Sequence, residues 1–207
     1  MKRLYLFFIM CVFVQVSNSQ QAVDLGLSVK WATCNVGASS PEDYGDYYAW
    51  GETETKSYYD WSTYKWCKGS EYTLTKYCTD SDYDTVDNKT VLEPEDDVAH
   101  VTWGGSWRMP TLAQCEELID YCTTSWTSVN GVWGTKVVGP NGNSIFLPAA
   151  GCRWYDILND AGSNGYYWSG TLRDGNDSGA YYLNAVGGLG WNYYSRGSGR
   201  SVRPVCQ

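Results

Sequence analysis

Between Leu112 and Cys122 the apolar side chains fall at Leu112, Cys115, Leu118, Ile119 and Cys122, while Gln114, Glu117 and Asp120 take the opposite positions. That spacing predicts an amphipathic helix of about three turns with one buried stripe. Its start is marked twice. Pro110 ends whatever extended structure precedes it, and Thr111 followed by Gln114 forms a capping box with Thr111 as N-cap. Upstream, Trp103, Trp107 and Met109 alternate along W-G-G-S-W-R-M-P-T, which reads as an extended run. Trp103, Trp107, Leu118 and Ile119 are therefore expected to converge as core at this junction. Arg108, beside two tryptophans, reads as a stacking and carbonyl-capping residue.

Elsewhere the period is mostly two. Ala22 to Val36 alternates and carries β-branched and aromatic residues, which predicts one or two strands. Trp31 and Cys34 cannot share one strict face, so a turn or bulge belongs there. Leu92 to His100 reads as a short helix with Pro94 near its first turn and acids by its N-terminus. After the main helix, Asn130-Gly131 and Pro140-Asn141-Gly142-Asn143 are hairpin turns flanked by Lys136–Val138 and Ser144–Leu147. Further strands are expected at Gly165–Ser169, Ala180–Val186 and Ser201–Cys206, joined by long glycine-rich loops. With no internal repeat or low-complexity linker, the reading is a single α+β domain over residues 20–207.

Met-Lys-Arg followed by an almost wholly apolar Leu4–Val16 is a basic n-region and an h-region too short to span a bilayer. This predicts a secretory signal peptide over residues 1–19, cut before Gln20 after the small residues Ser17 and Ser19. Met10 before Cys11 is a poor fit to a lipoprotein signal, so no lipid anchor is expected. No second apolar run has membrane length. Lys2 and Arg3 leave with the leader, so 13 basic residues face 23 acidic ones, a net −10. Nucleic acid and anionic membrane surfaces are poor partners for such a chain. Seven of the eight cysteines remain, an odd number, and export permits disulfides. Cys67 and Cys78 flank a short turn-rich loop whose closure is worth about 3 kcal/mol in the chain-entropy model, so this pair is expected to bridge. The pairing of Cys34, Cys115, Cys122, Cys152 and Cys206 stays open.

The most informative composition lies between Tyr155 and Arg200, where 31 of 46 residues are Gly, Tyr, Asn, Ser or Asp and all positive charge is arginine. This is the chemistry of a paratope, rigid aromatic contact combined with adaptable hydrogen bonding. The candidate contacts are Trp154, Tyr155, Arg173, Asn176, Tyr182, Asn184, Trp191, Asn192, Tyr193, Tyr194, Arg196 and Ser198. Enzymatic signals are sparse. A Ser-His-Asp or Cys-His arrangement would have to use His100, the single histidine, which reads as structural. Carboxylates for glycoside hydrolysis exist, such as Glu52 with Glu93 or Asp97, but no spacing selects a pair. Asp80-x-Asp82-x-Asp84 resembles the front of a calcium loop, yet Thr85 stands where that loop needs Gly and Val91 where it needs Glu. No metal or other cofactor is expected, calcium being the one candidate.

W-A-T-C-N-V-G-A (Trp31–Ala38), E-D-Y-G-D-Y-Y-A-W-G-E-T (Glu42–Thr53), L-E-P-E-D-D (Leu92–Asp97), W-G-G-S-W-R-M-P-T, N-G-N-S-I-F-L-P-A-A-G (Asn141–Gly151), Y-Y-W-S-G (Tyr166–Gly170) and S-V-R-P-V (Ser201–Val205) resemble the Fibrobacter succinogenes major paralogous domain family. The resemblance covers nearly all of the mature chain. It implies export in a Gram-negative bacterium to the periplasm, cell surface or medium, and a C-type-lectin-like fold that joins N- and C-terminal strands and displays long loops. It brings no known activity. Asn192–Ser198 is similar to the variable segment of retroelement-diversified proteins of that fold, followed by a constant end at Gly199–Val205. The calcium-site motifs of sugar-binding lectins are missing, Glu93-Pro94-Glu95 being a partial echo. The expected function is a monomeric, adhesin-like module binding an extracellular protein or glycan through loops between Trp154 and Ser198. The alternatives are an extracellular glycan-acting hydrolase and a structural subunit of a surface appendage.

Overall fold

The structure, a computed structural model, describes residues 20–207, and the leader expected over residues 1–19 lies outside them. The described residues form an α+β fold dominated by small antiparallel sheets. In chain order the elements are β1 (Ala22–Val23), β2 (Lys30–Ala32), α1 (Val98–Trp103), α2 (Leu112–Tyr121), β3 (Thr123–Val129), β4 (Val132–Val138), β5 (Ser144–Pro148), β6 (Cys152–Trp154), β7 (Ile157–Asn159), β8 (Gly165–Leu172), β9 (Gly179–Ala185), β10 (Leu189–Ser195), β11 (Gly199–Arg200) and β12 (Val205–Cys206). They make four three-stranded sheets, ordered β1-β2-β12, β3-β4-β5, β8-β9-β10 and β7-β6-β11. The first ties the two ends of the described chain together, with Trp31 opposite both Val23 and Val205.

α2 forms as its sequence dictates. Thr111 accepts from the backbone of Gln114, and the Gln114 side chain reaches back to the Thr111 N–H. Cys115 and Leu118 are fully buried on the stripe, with Ile119 and Cys122 packed at its margin. The β3–β4 hairpin turns at Asn130-Gly131, both with positive φ, as a type I′ turn requires.

The β8-β9-β10 sheet stands between two apolar clusters. On one side Tyr167, Leu183 and Ala185 join Trp31, Cys115, Leu118 and Val205; on the other Trp168, Ala180 and Tyr182 join Trp50, Tyr77, Met109 and Val202. A third cluster, of Tyr47, Tyr59 and Tyr64 with Trp61 and Trp66 at its margin, lets the long strand-poor stretch between β2 and α1 pack on its own rings.

Five expectations are corrected. Trp103 ends a helix, because Asp97 caps α1 by accepting from Ala99 and His100 and carries the helix through to Gly104. Trp103 and Trp107 meet edge to face at 5.1 Å, but Trp103 packs against the Trp50–Trp168 cluster whereas Leu118 and Ile119 belong to the Trp31 cluster, so the four do not form one core. The helix expected over Leu92–His100 breaks at Asp97 into a 3-10 turn, Pro94–Asp96, and α1. Ser201–Cys206 is not a continuous strand; pairing is confined to β11, β12 and single bridges. Finally, Cys67 and Cys78 are separate thiols. Cys67 Sγ donates to the Trp61 and Tyr64 carbonyls and Cys78 Sγ to that of Asp80, and neither is bridged.

Candidate functional site

The composition of residues 189–195 predicts part of a loop, and the segment is instead β10, a seven-residue strand at one edge of the β8-β9-β10 sheet. Side chains on a strand alternate between faces. Trp191 and Tyr193 therefore share one face with Leu183 and Tyr181, their partners on β9, while Asn192 and Tyr194 share the other with Tyr182 and Ala180. On the first face Tyr181 sits edge-on to Trp191 at 5.5 Å and to Tyr193 at 6.5 Å, and the Arg173 guanidinium lies 3.5 Å over the Tyr193 ring. Trp191, Asn192, Tyr193 and Tyr194 are all exposed, the three aromatics by 46%, 40% and 49%. Four consecutive exposed positions on a strand mean that both of its faces project beyond the core.

The second face looks onto the β7-β6-β11 sheet across a cavity of about 390 Å³. Tyr166, Tyr182 and Tyr194 line one wall, Trp154 and Asp160 the other, and Arg200 lies between them. Trp154 meets Tyr194 edge-on at 6.3 Å and Tyr155 at 5.2 Å. Asp160 is held at the rim by the Tyr166 hydroxyl, which donates to it at 3.0 Å and accepts from Asn164. Burial, with Asp160 adding to it, pushes the Tyr166 hydroxyl up to about 12, so it stays a donor at physiological pH.

Arg200 is 2% exposed, and its guanidinium carbon lies 4.1 Å from the Tyr182 ring, 4.9 Å from Trp168, 5.0 Å from Tyr194 and 5.1 Å from Tyr166. Its Nε and Nη1 are shut from solvent and have no hydrogen-bond partner. Burial lowers its proton affinity, and the Cys152 thiol beside it is too weak an acceptor to satisfy the fork. That thiol is itself raised by burial, the arginine pulling the other way. Sequence reasoning passed over Arg200 because it falls in the G-R-S-V-R-P-V end, which reads as a closing strand. No local signal marks it, since its neighbours are Gly199 and Ser201 and two further arginines, Arg196 and Arg203, lie close by in the chain.

The candidate contacts thus divide. Trp191, Tyr193 and Arg173 are gathered on one face of the sheet; Tyr194, Tyr182, Trp154 and Ser198 surround the cavity on the other. Tyr155 is 42% exposed and packs on Tyr58 at 5.5 Å, and Asn192 is exposed. Four of the expected contacts are buried or bonded locally. Arg196 is fully buried and donates to Tyr64 Oη, the Tyr77 and Asp177 carbonyls and the Lys76 carbonyl, which removes it from any ligand surface. Asn176 accepts from the backbone and hydroxyl of Ser178 in a turn, Ser198 Oγ donates to Ser195, and Asn184 Oδ1 is buried.

The acidic groups are engaged elsewhere. Glu52 pairs with Lys56 at 2.9 Å and accepts from the Lys65 backbone; Glu93, bridged by Lys76 and then Lys89, is held below the usual carboxylate range; Asp97 caps α1 and accepts from Met109. His100 Nδ1 lies 3.3 Å from the Trp107 carbonyl. Asp80 caps a 3-10 turn over Ser81–Tyr83 and Asp84 pairs with Lys68 at 2.6 Å, and among the described residues no three His, Cys, Asp or Glu side chains assemble as a cation cage. No helix among them is long and apolar enough to cross a membrane. No family model, curated protein or solved structure matches the chain, so its own geometry carries the functional argument.

Proposed function

We propose that the protein is an exported, single-domain, non-catalytic module of C-type-lectin-like fold that binds an extracellular protein or glycan. The fold reading is supported by the β1-β2-β12 sheet, which pairs strands from the two ends of the described chain. Binding is supported above all by one observation: Trp191, Asn192, Tyr193 and Tyr194 are exposed in succession along one edge strand. Aromatic side chains with two rotors lose little entropy on association, and a strand orders them in advance. Arg173 over Tyr193 and the Trp154–Tyr155 pair extend the surface to either side.

The test is a glycan and protein array followed by calorimetry on the captured ligand. Trp191→Ala and Tyr193→Ala should each weaken binding by about 2 kcal/mol or more. Neither should lower the unfolding midpoint much, since both rings stand on the exposed edge strand and outside the buried clusters. Two folded variants that bind as wild type would overturn the reading. Loss of turnover in Glu93→Gln, with binding retained, would favour the hydrolase alternative.

A further inference from the structure

We infer that the cavity beneath Tyr194 is a site for a carboxylate-bearing sugar ring, with Arg200 receiving the carboxylate. The protein buries three arginines near its C-terminal end, and they form an internal comparison. Arg196 makes four hydrogen bonds, and Arg203 bonds to Asn35 Oδ1, the Ala32 carbonyl and the Thr33 carbonyl, with only its Nη2 left without a partner. Arg200, equally buried, has Nε and Nη1 unpaired and no carboxylate within ion-pair distance. The fold therefore supplies acceptors to a buried guanidinium where the role is structural. At Arg200 the guanidinium is surrounded by rings instead, lines a cavity, and has two nitrogens left as donors for an anionic acceptor.

The backbone of Arg200 is fixed, exchanging hydrogen bonds with Tyr48 in both directions at 3.0 Å, so the charge is held in place before a ligand arrives. The cavity's ionised side chains are Arg200, Arg153 and Asp160, a net positive lining in a chain that carries −8 overall. An anion is favoured there, within a volume typical of small-molecule sites. The remaining chemistry selects a sugar acid over an acidic peptide side chain. Trp154, Tyr182 and Tyr194 offer faces and edges to the C–H surface of a pyranose ring, while Asp160 and Asn159 at the rim accept from hydroxyls. A bare carboxylate side chain has no hydroxyl to give Asp160 and would meet only its repulsion. This site goes beyond the exposed-strand surface proposed above, sharing with it only Tyr194 and Trp154.

The test uses the purified protein with glucuronate as probe, followed by NMR titration or calorimetry beside glucuronamide, glucose, acetate, inorganic sulfate and a poly-glutamate peptide. Glucuronate should bind, with each of the other five weaker by about tenfold or more, since each lacks either the charge, the ring or the hydroxyls. Arg200→Gln should weaken glucuronate by at least about thirtyfold. If that variant does not fold, Tyr194→Ala, at an exposed wall position, should still weaken it by about tenfold. Absence of glucuronate binding overturns the proposal. So does equal binding of the amide, of acetate or sulfate alone, or of the peptide. The array with Trp191→Ala and Tyr193→Ala reads the other face, so array capture without glucuronate binding sinks this site alone, and the converse sinks the strand surface alone.

Discussion

Arg196 and Arg200 stand four residues apart, both shut from solvent, and their neighbours give them opposite characters. Three of the four bonds from Arg196 satisfy backbone carbonyls of Lys76, Tyr77 and Asp177 that otherwise have a buried acceptor to fill. Arg196→Ala should therefore destabilise the fold by about 3 kcal/mol or more, through lost bonds and orphaned carbonyls together. Urea denaturation measures this, and a loss under about 1 kcal/mol would mean water replaces the side chain without strain. The sequence reading grouped Arg196 with ligand contacts because composition records that an arginine lies among tyrosines and not which way it turns. The same blindness hid Arg200. Close approach is equally invisible in composition: a Cβ on Gly199 would stand 2.7 Å from the Tyr59 ring, so only glycine lets β11 lie where it presents Arg200.

At the scale of elements, what could be read was what is local. α2 carries its cap, its capping box and its apolar stripe within eleven residues, and all three are present in the fold. Thr111→Ala should cost about 1 kcal/mol by leaving the Gln114 N–H without its cap. Leu118→Ala, in the Trp31 cluster, should cost about 2–5 kcal/mol. Thermal or urea unfolding of the two variants checks the ratio, and equal small losses would place that helix face at the surface. The Asn130-Gly131 hairpin was legible for the same reason. β10 was not. Leu189-Gly-Trp-Asn-Tyr-Tyr-Ser195 alternates at Leu189, Trp191 and Tyr193, but Tyr194 breaks the pattern and the Gly, Asn, Tyr and Ser composition reads as loop, so its strand character shows only in the pairing with β9 along its whole length. The split of Trp103 from Leu118 was likewise hidden, since it depends on which of two clusters each element meets in three dimensions.

For the molecule as a whole, acidity shapes the response to pH. Asp87 is partly buried, which pushes its carboxyl up, but the N–H groups of Cys78, Tyr77 and Lys89 outweigh this and hold it below the ordinary range. A depressed native value means that its stabilisation is complete above the unfolded value, about 3.9, and is lost as pH falls through the native one. The stability gap between wild type and Asp87→Asn should be full at pH 6 and close once both states are protonated, as pH falls through the depressed native value. Melting curves across that range are the measurement. A gap that widens in acid would show that the carboxylate is not what holds the loop between Tyr77 and Lys89.

The alternation along β10 has one more consequence, for how this chain can change over generations. The strand is pinned at one end by the Val186–Gly188 turn and at the other by the buried Arg196. Between those anchors each residue addresses one surface only, Tyr193 the open face and Tyr194 the cavity. Replacing a letter alters one surface and spares its neighbour. Adding a letter exchanges the two, because a shift of one residue turns every following side chain to the opposite side. New specificities can thus accumulate here by substitution, position by position, while an insertion or deletion within the strand would disturb both surfaces at once.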